Sequence, residues 1–268
     1  MSRQLLIYER AVPVSSEKHR EWSVKSGSDF SFAGQVNSVP LMAVEVPGAA
    51  VEYPIVFAGN DDEIMPAVIL GLRDAENLYL EPSGAWRGRY VPAFVRRYPF
   101  VFSSNDEGKT FTLCIDEDFS GCNQDGKGER LFDSEGNRTQ YLEGVLTFLK
   151  DYQAQFMRTR AFCQKLKELD LLEPMRAQVT LSSGQQFALE GFKAISRDKL
   201  KNLSGDKLAE LAKTDELELA FLQMQSMRNL QSMVERVQAP VTASGGNGAE
   251  KAEAAAPAAK KKATAKKN

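Results

Sequence analysis

Histidine is nearly absent from this chain. Among 268 residues there is one imidazole, His19. Two-histidine iron sites, histidine-rich zinc sites and HExxH proteases each need at least two, so those classes are excluded. A Ser-His-Asp or Cys-His centre would have to use His19 itself. It sits among Ser15, Ser16, Glu17, Lys18 and Arg20, which reads as an exposed polar segment. Cysteine is scarce as well. Cys114, Cys122 and Cys163 are scattered, and an odd, sparse set fits free structural thiols in a reducing compartment.

Long apolar runs are missing. No stretch approaches the roughly 18 apolar residues of a membrane-spanning helix. The first residues hold only a short apolar core at Leu5, Leu6 and Ile7 before Tyr8, Glu9 and Arg10. That is too short for a signal-peptide apolar region, so the expected location is cytoplasmic. Charge of one sign is lacking too: the formal net charge is −2. The stretch 244–268 holds six lysines against two glutamates, about +4, which leaves about −6 on the rest. No specific nucleic-acid partner is expected of such a body.

Phosphate-binding glycine motifs are absent. Neither the 84–88 segment nor the 121–128 segment carries the P-loop or dinucleotide pattern. The acidic stretch 116–138 contains Asn123, Asp125 and Gly126. Aligning Gly126 to the glycine of a calcium loop puts Gly121 and Phe132 where carboxylates belong, so that motif fails. A looser calcium site from Asp116, Asp118, Asp125 and Asp133 stays open beside a plain solvated loop. With 36 acidic residues some close carboxylate pair is inevitable, so such pairs single out no hydrolytic site. No catalytic residue is named, and no metal or cofactor is expected.

What is present is an α+β pattern. Residues 1–135 are strand-rich, with short apolar runs at 5–8, 41–46 and 55–57 between Pro, Gly, Ser and Asn. Residues 64–72 read as strand or helix. Segments 98–103 and 110–115, split by a polar loop, form a hairpin. Residues 139–238 are mainly helical. Leu142, Val145, Leu149, Tyr152, Phe156, Cys163 and Leu166 predict one helix over 139–171, with Thr159 breaking the stripe and Pro174 beyond its end. A second hairpin joins 177–181 to 186–189. Ser196 and Ser204 start short helices, and Asp215 with Glu218 makes a capping box for a helix to Val237, stopped by Pro240. The expectation is a single α+β domain over 1–238 and a disordered Ala/Lys tail over 239–268. A solvating role suits the tail better than weak attraction to anionic lipid or nucleic acid.

The densest feature is 86–102, with six aromatics, four arginines, Pro92 and Pro99. Pro92 suits the start of a short helix over 93–97, and Pro99 disfavours helix at Tyr98. Phe94 and Tyr98 then share a face, with Arg96 and Arg97 pointing elsewhere. Two readings stand. Arginine and aromatics make binding hot spots, which nominates Trp86, Arg89, Tyr90, Phe94, Arg96, Arg97 and Tyr98. Equally, they make an aromatic core corner whose arginines pair with local carboxylates. The last helix adds an apolar stripe of Met224, Met227 and Leu230. This stripe is either packing against the 139–171 helix or a dimer or client groove.

The blocks Tyr53 to Phe57, Leu70 to Arg73 with Asn77 and Leu78, Gly84 to Trp86 and Tyr90 to Phe100 occur in an order that resembles the SapC family. The similarity covers roughly residues 1–237. The family is named from a gene near a bacterial surface-layer secretion system. The resemblance implies a non-enzymatic accessory protein that binds a protein or peptide client linked to surface-layer or envelope export, with a homodimer as a further candidate assembly. It brings no catalytic residues. Some members are labelled peptide-transport permeases, a label that the missing apolar runs contradict. The alternative is an enzyme that modifies or processes a peptide or protein using carboxylates, a cysteine or a bound cofactor.

Overall fold

The computed structural model describes residues 6–25, 27–60, 63–104, 109–181 and 183–238. In chain order its elements are β1 (Ala11–Pro13), α1 (Ser16–His19), β2 (Ser23–Val24), β3 (Ser38–Pro40), α2 (Val46–Ala49), β4 (Ile55–Ala58), β5 (Met65–Ile69), α3 (Ala93–Arg96), β6 (Phe100–Ser103), β7 (Thr112–Asp116), β8 (Cys122–Asn123) and β9 (Glu129–Arg130). Then follow α4 (Gln140–Glu168), β10 (Leu172–Thr180), β11 (Gln186–Ile195), α5 (Arg197–Lys201), α6 (Gly205–Lys213), α7 (Glu216–Ser226) and α8 (Asn229–Gln238). Strands dominate the first half and helices the second, as the α+β pattern predicts. The expected tail, its lysines and Pro240 lie outside the described residues.

Three antiparallel sheets form, in the orders β1-β7-β6, β10-β11-β4-β5-β3 and β8-β2-β9. The predicted first hairpin is β6–β7, with Phe102 opposite Leu113. Pro13 and Pro40 end the edge strands β1 and β3, where a missing N–H disturbs no ladder. The five-stranded sheet takes strands from both halves of the sequence. Ile55, Val56 and Val68 on its central strands are fully buried.

The helix α4 starts one residue after the expected 139, with Thr139 as its cap. Thr139 is extended and its side chain accepts a bond from Leu142 N. At 29 residues it is about 44 Å long. Its buried face takes in Leu146 and Phe162 as well as most of the expected stripe. Thr159 does not break that face. Its buried hydroxyl accepts from Ala43 N at 2.8 Å and donates to Gln155 O at 2.7 Å. A polar side chain is stable there because it satisfies a buried backbone donor 116 residues away.

Several expectations are corrected. Residues 6–8 form a turn and no strand, and the first strand is β1. The run 41–46 is not a strand: Leu41 and Met42 lead into a 3-10 turn, Ala43–Glu45, that continues into α2. The Glu45 carboxylate accepts from Met42 N at 2.8 Å and Pro47 sits in the first turn, both of which favour a helix start. Of the strand and helix readings of 64–72, the structure takes strand, at Met65–Ile69, which corrects nothing. The helix over 139–171 stops at Glu168, and Pro174 lies inside β10 at the edge of the sheet. The second hairpin is longer than 177–189, since β11 continues to Ile195 and pairs with β4.

The last predicted helix is two helices. Asp215 is left-handed, with φ 59°, and makes no side-chain cap, so the expected capping box does not form. The chain breaks after Ser226 because polar side chains there serve distant backbone. Ser226 Oγ accepts from Ile55 N at 3.0 Å, and Asn229 Nδ2 donates to Ala50 O at 2.8 Å and Tyr53 O at 3.1 Å. Gln223, also buried, accepts from Ile195 N and donates to Ile55 O. α7 therefore packs on β4, β11 and α2. It meets α4 through the Lys165–Glu216 ion pair at 2.5 Å.

Candidate functional site

The arginine-aromatic segment divides into a buried side and an exposed side. Pro92, at φ −54° and ψ 141°, precedes α3, and its carbonyl accepts from Val95 and Arg96 N. Phe94 is fully buried. Arg97 is buried as well, contrary to the expectation that both arginines point away from Phe94. Its guanidinium lies 4.4 Å from the Phe94 ring, 4.9 Å from Tyr152 and 5.6 Å from Tyr8. Aromatic faces offer a desolvated cation favourable electrostatics, so this arrangement stabilises the corner. Tyr98 leaves the Phe94 face. It stacks on Phe32 at 4.1 Å and its hydroxyl donates to Asp116 at 3.3 Å.

Tyr90 is braced from α2 and its flanks. Its hydroxyl donates to Glu45 Oε1 at 2.7 Å, and Ala93 N donates to the same oxygen at 2.7 Å. Burial, then the Glu45 charge and hydrogen bond, push the Tyr90 phenol well above its ordinary range. The Glu52 carboxylate accepts from Arg89 N at 2.8 Å and Tyr90 N at 3.3 Å. Tyr53 donates its hydroxyl to the Tyr90 carbonyl and accepts from Trp86 Nε1 at 2.8 Å. A Cβ at Gly88 would collide with the Tyr53 hydroxyl, so that position admits only glycine without rearrangement. A Cβ at Gly48 would stand 3.2 Å from the Tyr90 ring.

Arg87, Arg89 and Arg96 are the exposed members of the segment. Among the described residues none of the three is ion-paired with a carboxylate. Arg96 Nε donates to Val91 O at 3.0 Å, and its guanidinium lies 5.4 Å from Phe148 and 5.9 Å from Tyr90. Of the seven nominated residues, then, Arg89 and Arg96 are exposed, and the half-buried Tyr90 between them shares the Glu52 acceptor with Arg89 and a ring contact with Arg96. Trp86 is half-buried behind them, and Phe94, Arg97 and Tyr98 belong to internal packing.

Sequence reasoning missed the surface beside them. Val44, Pro47, Gly48 and Val51 are exposed along one side of the 3-10 turn and α2. Their spacing of three, four and seven is a helical signal that the strand reading of 41–46 hid.

The methionine stripe is not one face. Met224 packs with Phe162, Leu166 and Ala220, whereas Met227 and Leu230 pack with Val179, Phe192 and Met233. The break between α7 and α8 separates them. A further groove of about 1040 Å³ opens between the β6–β7 hairpin and the first half of α4, lined by Phe102, Phe111, Leu113, Leu142, Leu146 and Lys150 among others.

His19 is fully buried, correcting its exposed reading. Nε2 lies 3.0 Å from Glu117 Oε1, and Nδ1 lies 3.2 Å from Ser15 N. The acidic residues of 116–133 are spent separately. Asp116 accepts from the backbone of Glu9, Arg10 and Asp118, Asp133 from Glu135 N and Asn137 N, and Asp125 pairs with Lys127. Among the described residues no group of three His, Cys, Asp or Glu is placed to hold a metal ion. Burial pushes the Cys122 and Cys163 thiols up to about 12 and raises Cys114.

No described helix is long and apolar enough to cross a membrane. A family model described as SapC matches residues 14–233. No curated protein and no solved structure matches the chain significantly.

Proposed function

Because the chain belongs to the SapC family, we propose that it is a non-enzymatic accessory protein, acting in the cytoplasm, that binds a protein or peptide client linked to surface-layer or envelope export. The observation that carries this reading is the exposed set Arg87, Arg89 and Arg96, none of them ion-paired with a carboxylate among the described residues, beside the hydrogen-bonded aromatics Trp86 and Tyr90 and with the Arg96 guanidinium over the Tyr90 and Phe148 rings. Guanidinium groups held on packed aromatics recur at interface hot spots, because they present planar donors with little entropy left to lose. The thiols held high by burial disfavour a cysteine nucleophile and with it that form of the enzyme alternative.

The test is affinity capture from the native cell, with mass spectrometry and elemental analysis of the same sample. A stoichiometric protein partner is expected, and its capture falls in the Arg89→Gln, Arg96→Gln double variant at near-unchanged melting temperature. Arg97→Ala is expected instead to destabilise by roughly 2–4 kcal/mol, since it empties a buried site. A bound metal or coloured cofactor with no partner would overturn the binding role.

A further inference from the structure

We propose that the outer side of α2, with the arginines beside it, is a docking surface for an acidic peptide segment anchored by apolar side chains. This rests on the client-binding reading and names the chemistry of the client.

The apolar part is a stripe. Val44 is 61 % and Val51 71 % exposed, and Pro47 and Gly48 are exposed between them. Tyr90 runs along this stripe. Glu45, next to Val44, takes the Tyr90 hydroxyl, the ring passes Gly48, and Glu52, next to Val51, takes the Tyr90 and Arg89 amides. Arg96 stands 5.9 Å from the same ring. Exposed valines and exposed guanidinium groups therefore border one strip of surface.

Charge decides the occupant. The two carboxylates nearby are committed elsewhere. Glu45 is buried and accepts from Tyr90, Ala93 and Met42, and Glu52 accepts from backbone amides. Neither forms an ion pair with Arg89 or Arg96, so these exposed guanidinium groups keep donors to offer a carboxylate, on a body that is acidic overall. A carboxylate-bearing partner is attracted to this strip and repelled elsewhere, which gives register as well as affinity. A nucleic acid is disfavoured, because the Tyr90 ring packs beside Gly48 and Arg96 and, among the described residues, no extended basic stripe continues the strip. The bracing of Tyr90 from α2 keeps the ordering cost of binding low.

The test is selection of a random 12-residue phage-displayed peptide library on the purified full chain, followed by fluorescence anisotropy of the enriched peptides. Val44→Asp, Val51→Asp and the Arg89→Gln, Arg96→Gln double variant are run beside the wild type, with melting temperatures as the folding control. Enriched peptides are expected to pair Asp or Glu with a large apolar residue. They should weaken about tenfold or more in each variant and weaken as salt rises. No enrichment, peptides without acids, or binding that survives the variants would overturn the proposal. Client capture from the native cell with the same variants separates the two readings. A client retained by all of them sinks this surface and leaves the accessory role standing. A wild type that captures nothing sinks the accessory role, while the peptide selection still decides the surface.

Discussion

At the scale of single residues, burial sets the role of each charge. Glu117 gathers Arg10 at 3.1 Å, Lys18 at 2.5 Å and the buried His19 at 3.0 Å, and so ties the first strand and α1 to the end of β7. Burial opposes its charge. Hydrogen bonds from Lys18 and His19, with the charges of Lys18 and Arg10, outweigh that and hold the carboxyl below its ordinary range. A lowered folded pKa gives stability that is present above the ordinary carboxyl range and lost as pH falls through the folded value. Glu117→Gln should therefore lower the melting temperature at pH 7, with the gap to wild type narrowing as pH falls below the ordinary carboxyl range. A gap that stays unchanged from pH 7 down to the acid limit of folding would show that the ion cluster contributes nothing through its charge.

At the scale of elements, helices finish the hydrogen bonding of strands far away in sequence. α7 carries Gln223 and Ser226 on its inner side, and these satisfy the backbone of Ile55 and Ile195. The helix ends where that service ends, and α8 sets off to cover the β10–β11 hairpin through Met233 and Val234. Ser226→Ala leaves the buried Ile55 N–H without its acceptor. The expected cost is about 1–3 kcal/mol, read as a lower urea midpoint at unchanged slope. A midpoint within error of wild type would mean that the Ser226 hydroxyl does not serve the Ile55 N–H.

At the scale of the whole molecule, the central sheet sets the expectation of one cooperative domain over 1–238. Its strands β3, β4 and β5 come from the first half and β10 and β11 from the second. The cysteines are reporters of this. Cys114 and Cys163 are buried in different parts of the core, and Cys122 is half-buried. Thiols held near 12 have negligible thiolate at pH 8. Ellman's reagent should therefore label the native chain very slowly and all three thiols after denaturation. Site-resolved labelling along a urea series should expose Cys114 and Cys163 at one midpoint. Two midpoints would divide the chain into separately folding units.

Much of this architecture was determined by the sequence by itself. The 3.6-residue periodicity specifies α4, the polar loop specifies β6–β7, and Ser204 starts α6. Each signal lies inside one short segment, which is why it is legible. The density of arginine and aromatics at 86–102 also marks the right region. Which of its side chains face water was decided only by tertiary structure. Arg97 is buried because Phe94, Tyr152 and Tyr8 surround it, and Tyr152 belongs to another element. The run 41–46 turns helical through Glu45, which caps Met42 locally and is itself held by Tyr90 and Ala93, while Thr159 receives Ala43. His19 is buried because Glu117, 98 residues on, offers it a partner. Local propensity and periodicity are written within a segment, whereas the burial of a charge depends on a partner that only the folded chain supplies.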